Sequence, residues 1–314
     1  MATKKKTTGA WLLAPQRTGL NPDTTSLKIV AMITMLIDHL GAAVFTHANI
    51  LRVIGRMAFP IYCYCIAVGC VYSKDRLKYL MRLVLIGLIS QPIYAVAMNH
   101  TNKAMYAISF AESPVRAALN FYVESWATPN ILATLALGLL AIWSLREKHF
   151  AGTVAIALLA WKLNGAMSAS YGWKGVALVV VFYLFIEHWW LSLPSVLAYM
   201  VWWGTQYSSY SAFGVHFGTQ FFAILALPLI YVPTREISAK YRPLVLLAQA
   251  GVVFIILCLL GVNLVTVGIA AGVLVITYLL SESRIRLNKW VFYLYYPGHL
   301  LLIMLIKYLT MGHV

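Results

Sequence analysis

Long apolar runs separated by short polar gaps organise this chain almost from end to end. The first run, Leu27 to Phe45, reads LKIVAMITMLIDHLGAAVF. About 20 apolar residues suffice to cross a bilayer as a helix, so each such run is read as a membrane span. The pattern predicts about eleven spans, over residues 27–46, 53–72, 78–98, 130–146, 149–163, 173–189, 191–207, 217–232, 243–260, 262–280 and 290–309. The expected fold class is all-α, a polytopic transmembrane helical bundle with about 10–11 spans. The polar residues 1–26 are expected to form a cytoplasmic tail, and 27–314 a single integral membrane domain. The N-terminus lacks the short apolar segment and small-residue cleavage site of a signal peptide. The longest gap, 99–129, holds an amphipathic piece around Ile108 to Tyr122, expected to lie flat on the outer surface.

Composition agrees with the pattern. The chain is 61% hydrophobic and 11% charged, where soluble domains carry about 25% charged residues. The net charge of +15 raises the question of nucleic acid, and its placement answers it. Basic residues sit in the gaps between apolar runs, the arrangement of cytoplasmic loops and anionic lipid rather than of a nucleic-acid-binding face. With the N-terminus inside, the inner gaps hold Lys4, Lys5, Lys6, Arg17 and Lys28, then Lys74, Arg76, Lys78 and Arg82, then Arg146 and Lys148. Arg235, Lys240 and Arg242 follow, and then Arg284, Arg286 and Lys289. The outer gaps carry Lys103, Arg116, Lys162 and Lys174. This asymmetry predicts a cytoplasmic N-terminus in a cytoplasmic (inner) membrane and, with an odd span count, an external Val314. Cys63, Cys65, Cys70 and Cys258 lack metal-ligand spacing and are expected to be buried free thiols, with no metal site.

Five short segments carry residues that a membrane span does not hold without a use. Asp38-His39 lies near mid-membrane, where a carboxylate costs several kcal/mol unless paired or wetted. An imidazole titrating near neutrality suits general-base work, and the rival reading is a pair that ties spans together. Adjacent helical residues point about 100° apart, so Asp38 and His39 cannot simply pair side by side. GRMAFP, Gly55 to Pro60, brings Arg56, whose permanent charge needs an anion; Asp38 is the natural partner and a developing oxyanion the functional alternative. Arg52 lies one turn earlier. Asn130 in PNILATLALG is a plausible N-cap. Tyr171 belongs to SYGWKG, an aromatic turn at the outer interface. His299 lies in FYLYYPGHLLLIML, behind a Pro-Gly pair that opens the helix, with Tyr293 near its start. His216 and Gln220 are weaker candidates. No GxSxG, Walker A, HExxH or dinucleotide GxGxxG pattern occurs.

In order and register, Asp38-His39, GRMAFPIY, Asn130-Ile131-Leu132, SYGWKG and Phe292-Tyr293 with His299-Leu300 resemble the TraX family of conjugative-pilin acetylases, over about residues 27 to 309. That family is similar to the type-3 membrane acyltransferases, which carry a histidine in the first span and an arginine nearby. This chain departs in Tyr62, where the family often has Phe, in Pro297, and in the tail 1–26 and loop 99–129 as additions relative to the F-plasmid type.

The resemblance implies an acetyl-CoA-dependent N-acetyltransferase that modifies the N-terminal amine of a pilin, with acetyl-CoA as co-substrate. Its partners would be a pilin subunit and membrane lipids, with no nucleic acid. Within it, His39 would act as base, Asp38 would orient the imidazole directly or through a neighbour, and Arg56 would stabilise the oxyanion or hold a CoA phosphate. His299 would assist proton movement, and Asn130, Tyr171, Arg52 and Tyr293 would bind substrate. Basic loops 74–82 and 281–289 are the expected landing sites for CoA. Two rival readings share these residues. One is an O-acyltransferase acting on a cell-surface glycan or lipid; the other is a membrane transporter, since intramembrane Asp, His and Arg also mark proton pathways.

Overall fold

The computed structural model describes residues 10–19, 24–166, 171–212, 214–231 and 287–311, with scattered positions between 240 and 272. The spans expected at 243–260 and 262–280 fall largely outside the described residues. So do Lys4, Lys5, Lys6, Ser170, Arg235, Arg242, Cys258, Arg284, Arg286 and Val314.

A short helix, α1 (Ala10–Leu13), precedes the bundle. The bundle is built from α2 (Thr24–Ala43), α3 (Asn49–Gly55), α4 (Ala58–Tyr72), α5 (Arg76–Ala97), α7 (Ile131–Arg146), α8 (Phe150–Ala166), α9 (Gly172–Leu184) and α10 (Trp189–Gly204). The amphipathic α6 (Pro114–Ser125) lies between α5 and α7, and α11 (Leu227–Tyr231) and α12 (Lys289–Met311) follow later in the chain. Among the described residues, four stretches are long and apolar enough to cross a membrane: α2, the nearly continuous pair α3–α4, α5 and most of α12. The protein is thus a helical membrane bundle.

Two expected spans take a different form. The second is interrupted at Arg56-Met57, so Arg56 stands at the joint between α3 and α4 instead of inside a uniform helix. The eighth is preceded by a hairpin, β1 (Tyr210–Ala212) paired antiparallel with β2 (Val215–Phe217), and then runs as a 3₁₀ helix, Thr219–Ala226, before α11. Gly214 takes φ +75 in the hairpin turn, a conformation that costs glycine nothing.

Two ends of the bundle can be told apart by what they hold. Lys28, Lys74, Arg76, Arg82 and Arg146 gather where α2, α5 and α12 begin and α4 and α7 end; this is the basic end. The segment 13–19 is strapped across it. The Arg146 guanidinium donates to Pro15 O (2.7 Å), Tyr183 Oη to Leu13 O (3.0 Å), and the Gln16 backbone N–H to Glu187 Oε1 (2.6 Å). At the far end α2, α5, α10 and α12 finish and α9 begins.

The core between the ends is apolar and aromatic, with Phe59, Tyr64, Leu139, Ile142, Leu178 and Phe182 fully buried. Outward faces are apolar too. Leu77, Met81, Leu85 and Leu88 form one exposed stripe of α5, the face a lipid-contacting helix presents. Pro92 inside α5 leaves the Leu88 carbonyl without its helical donor, and the Tyr122 hydroxyl of α6 supplies one at 3.2 Å.

Candidate active site

The α2–α3 contact sets the site. Gly55 presses against Asp38: a Cβ there would collide with the Asp38 Cβ and Cα. That closeness lets one carboxylate take two guanidiniums. Arg52 Nη1 donates to Asp38 Oδ2 at 2.6 Å, and Arg56 Nη2 donates to Asp38 Oδ1 at 2.5 Å. Arg52 Nη1 also reaches the Asp38 carbonyl, at 3.2 Å. The ionisable pair adjacent in sequence therefore divides its labour. Asp38 is spent on the two arginines, and His39 turns to another helix.

His39 meets His299 of α12. Its Nδ1 lies 2.9 Å from His299 Nε2, and His299 Nδ1 lies 3.0 Å from the Tyr295 carbonyl. These two contacts assign the protons. A carbonyl only accepts, so His299 Nδ1 carries hydrogen, and in the neutral ring its Nε2 accepts. His39 Nδ1 therefore donates, and His39 Nε2 keeps a lone pair with no hydrogen-bond partner among the described residues. A carbonyl–His–His chain holds one imidazole in the tautomer that a base or nucleophile needs. The Tyr295 ring stacks on His299 at 5.0 Å and 7°, which fixes its plane.

His39, Asp38, Arg52 and Arg56 line a cavity of about 670 Å³. Tyr171, Phe59 and Trp203 form an aromatic wall, with Tyr171 stacked on Phe59 at 3.8 Å and 5°, and the Arg56 guanidinium 6.0 Å from the Tyr171 ring. Tyr171 holds this place from φ +64, a left-handed conformation that costs a residue with a Cβ about 1 kcal/mol or more. At the far end the lining continues through Lys174, Tyr207, Ser209 and Gln220. His100 also lines it, and burial lowers its pKa, favouring the neutral ring. Against Asp38 alone stand Arg52, Arg56 and Lys174, so the formal charges lining the cavity sum to positive.

The structure thus brings Asp38, His39, Arg52, Arg56, His299 and Tyr171 together, and separates two others. Asn130 is 1% exposed and its amide is fully engaged: Oδ1 accepts from Leu132 N at 3.0 Å, and Nδ2 donates to Gly87 O and Gln91 Oε1, each at 2.9 Å. It is the cap that starts α7, and the next residue, Ile131, is the one that lines the cavity. Tyr293 lies toward the basic end, where its hydroxyl accepts from Arg82 Nε at 3.2 Å. His216 is exposed on β2. Cys63, Cys65 and Cys70 are buried free thiols. Sequence reasoning passed over Tyr62, Tyr296, Trp203 and Lys174, all in the cavity wall. Tyr296 had a signal, standing one helical turn before His299; Tyr62 and Trp203 read as ordinary span residues, and Lys174 as an outer-gap cation.

The TraX protein family model matches residues 23–239, most of the chain. A probable fimbrial assembly protein, FimC of serogroup H1, from Dichelobacter nodosus is 30% identical over 166 residues, covering 52% of this chain and 60% of that protein. An uncharacterised protein of Rickettsia prowazekii (strain Madrid E) is 25% identical over 161 residues, covering 49% of this chain and 52% of the relative. The chain thus spans between half and two thirds of the length of these curated relatives. No solved structure matches. With the family match running from the start of α2 past α11 and taking in Asp38, His39, Arg52, Arg56 and Tyr171, the chain belongs to the TraX family.

Proposed function

We propose that the protein is a membrane-embedded acetyltransferase that moves acetyl from acetyl-CoA to the N-terminal amine of a pilin subunit. The observation that carries this reading is the Tyr295–His299–His39 chain, which leaves one ring nitrogen of His39 unengaged in a cavity that also holds two arginines. The fimbrial assembly name of the Dichelobacter relative supports a pilin as acceptor. We place the protein in the bacterial inner membrane with its N-terminus in the cytoplasm.

The acceptor enters as the neutral amine. Its nitrogen attacks the thioester carbonyl while His39 Nε2 takes the N–H proton, and His299 accepts the hydrogen bond from the opposite ring nitrogen throughout. Negative charge that develops on the carbonyl oxygen is stabilised by Arg56 or Arg52, held ready by Asp38. The C–S bond then breaks, the amide forms, and the His39 proton leaves with the CoA thiolate. The aromatic wall keeps bulk water from the thioester, which would otherwise hydrolyse.

Intact mass of a co-expressed pilin, with and without this protein, tests the reading. A gain of one acetyl group mapped to the first residue is expected. Free CoA released without pilin acetylation would move the acceptor to a glycan or lipid hydroxyl. Absence of any CoA release would overturn the enzyme reading and favour transport.

A further inference from the structure

A second, narrow chamber of about 130 Å³ runs from the basic end toward the cavity. The two share four wall residues, Met35, Tyr62, Ile131 and Tyr296, so they adjoin across these side chains. One face of α2 lines the whole route. Lys28, Met32, Met35 and His39 follow one another at helical spacing, the first three in the narrow chamber and the last two in the cavity. On α12, Phe292, Tyr296 and His299 repeat that sequence of positions.

The mouth of this chamber is cationic. Lys28 Nζ lies 5.3 Å from the Phe292 ring, and the Arg82 guanidinium 5.6 Å from the Tyr293 ring. Neither has an acidic partner among the described residues; Lys28 Nζ donates only to Thr24 Oγ1 at 3.3 Å, and Arg82 Nε to Tyr293 Oη. At the inner end the Tyr296 hydroxyl is buried, approaches the backbone of Ile131 loosely, and forms no full hydrogen bond. A route with two unpaired cations at one end, apolar walls, and an under-used hydroxyl at the other describes a ligand with a phosphate head, a slim arm and a polar tip.

We infer, on the acetyl-CoA reading above, that Lys28 and Arg82 bind the phosphates of CoA at the basic end, and that the pantetheine arm threads the narrow chamber to bring its thioester beside His39. Length supports the match. Lys28 to His39 spans about 16 Å of helix at ~1.5 Å per residue. From diphosphate to sulfur the arm has about thirteen bonds, the backbone equivalent of little over four residues, or about 15 Å extended at ~3.6 Å per residue. In this arrangement the nucleotide stays at the cationic end, and the acetyl group alone arrives at the cavity. Tyr296 donates to the arm's inner amide or to the thioester oxygen. The acceptor then uses the wider cavity from the far end, and the two substrates meet without sharing an entrance.

Binding of CoA, 3′-dephospho-CoA and S-acetyl-pantetheine to protein in neutral-lipid nanodiscs tests this directly, with repeats in nanodiscs containing anionic lipid. Lys28→Gln and Arg82→Gln should each weaken CoA binding about tenfold, as loss of one charge-assisted hydrogen bond does, and leave S-acetyl-pantetheine unaffected. Met32→Trp, which narrows the chamber without removing charge, should weaken all three ligands. Lys162→Gln, on an exposed part of α8, is the control and should change nothing. Equal CoA affinity in wild type, Lys28→Gln and Arg82→Gln would overturn the inference and leave the acetyl-CoA reading standing. A charge effect seen only with anionic lipid would also overturn it, showing that these cations hold lipid headgroups. Failure of the wild-type protein to bind CoA in either lipid would instead remove the acetyl-CoA reading itself.

Discussion

His39 and His299 act in the structure as one unit, which makes their mutational pattern predictable. His39→Ala should leave the protein folded and cut turnover by roughly 10²–10⁴-fold, the usual worth of a general base. His299→Ala should cost less, because it releases the tautomer and orientation of His39 but keeps the ring. The double variant should be no worse than His39→Ala alone, since members of a unit are not additive. Turnover measured on purified variants checks this, and a multiplicative loss in the double variant would separate the two roles. Asp38 belongs to a different kind of residue. It touches Arg52 and Arg56 rather than His39, so Asp38→Asn leaves two guanidiniums facing one neutral amide. Removing one partner of a buried ion pair costs about 3–5 kcal/mol. Asp38→Asn should therefore show itself as a large fall in melting temperature, with specific activity per folded molecule reduced less than in His39→Ala. Arg56→Lys should be nearly as damaging as Arg56→Ala to turnover, because the ammonium cannot reproduce the guanidinium fork. The identity of these residues was legible in the sequence, because an ionisable group within an apolar run is conspicuous. Their pairing was only half legible. Arg56 to Asp38 follows from charge alone, whereas His39 to His299 joins the second helix of the chain to its last described one, and nothing local specifies that contact.

Helices place these residues through a few close approaches, and each approach has a testable cost. Gly55→Ala would drive a methyl group into the Asp38 Cβ and Cα, a clash that includes backbone and is relieved only by parting α2 from α3. Overpacking of this sort costs about 1–3 kcal/mol, and here it also loosens both ion pairs. Thermal unfolding in detergent should show the loss, and an unchanged midpoint would mean that the two helices yield freely. Spans as elements were legible from apolar run length, yet their interruptions were not. The break at Arg56-Met57 lies inside an unbroken apolar run, and the hairpin 210–217 has a pattern too short to stand out beside its flanking spans. Asn130 was readable as a cap from its position before the run, and the structure adds that its amide is fully used there. The amphipathic stretch in the 99–129 gap becomes α6, with Val115, Leu119 and Val123 at 72%, 61% and 64% exposure along one stripe. That stripe, beside the apolar outer face of α5, suits a helix lying in the lipid interface. A nitroxide attached at Leu119→Cys should be more accessible to oxygen than to a water-soluble nickel complex. The opposite ranking would place the stripe in water.

The whole molecule turns on which way the bundle faces, because the lining of the narrow chamber reaches Lys28 at the basic end and that of the wide cavity reaches Lys174 and Tyr207 at the far end. Basic residues of the gaps concentrate where α2, α5 and α12 begin, and Lys103, Arg116 and Lys174 are spread over the far end. Lys and Arg near span ends bias a loop to the cytoplasm, so the basic end should face inward. Cysteines introduced at Lys148 and at Lys103, both exposed and at opposite ends, read this out in intact cells. The native thiols at Cys63, Cys65 and Cys70 are buried and should stay silent toward a membrane-impermeant maleimide. Lys103→Cys should label from outside, and Lys148→Cys only after the inner face is exposed. On the proposed function, that orientation would put the narrow chamber toward cytoplasmic acetyl-CoA and the wide cavity toward an acceptor presented at the outer face, so that the acetyl group would cross the membrane barrier while the nucleotide would not. Labelling of Lys148→Cys from outside would invert the bundle. The narrow chamber would then open where acetyl-CoA is absent, and both substrates would have to reach His39 through the wide cavity.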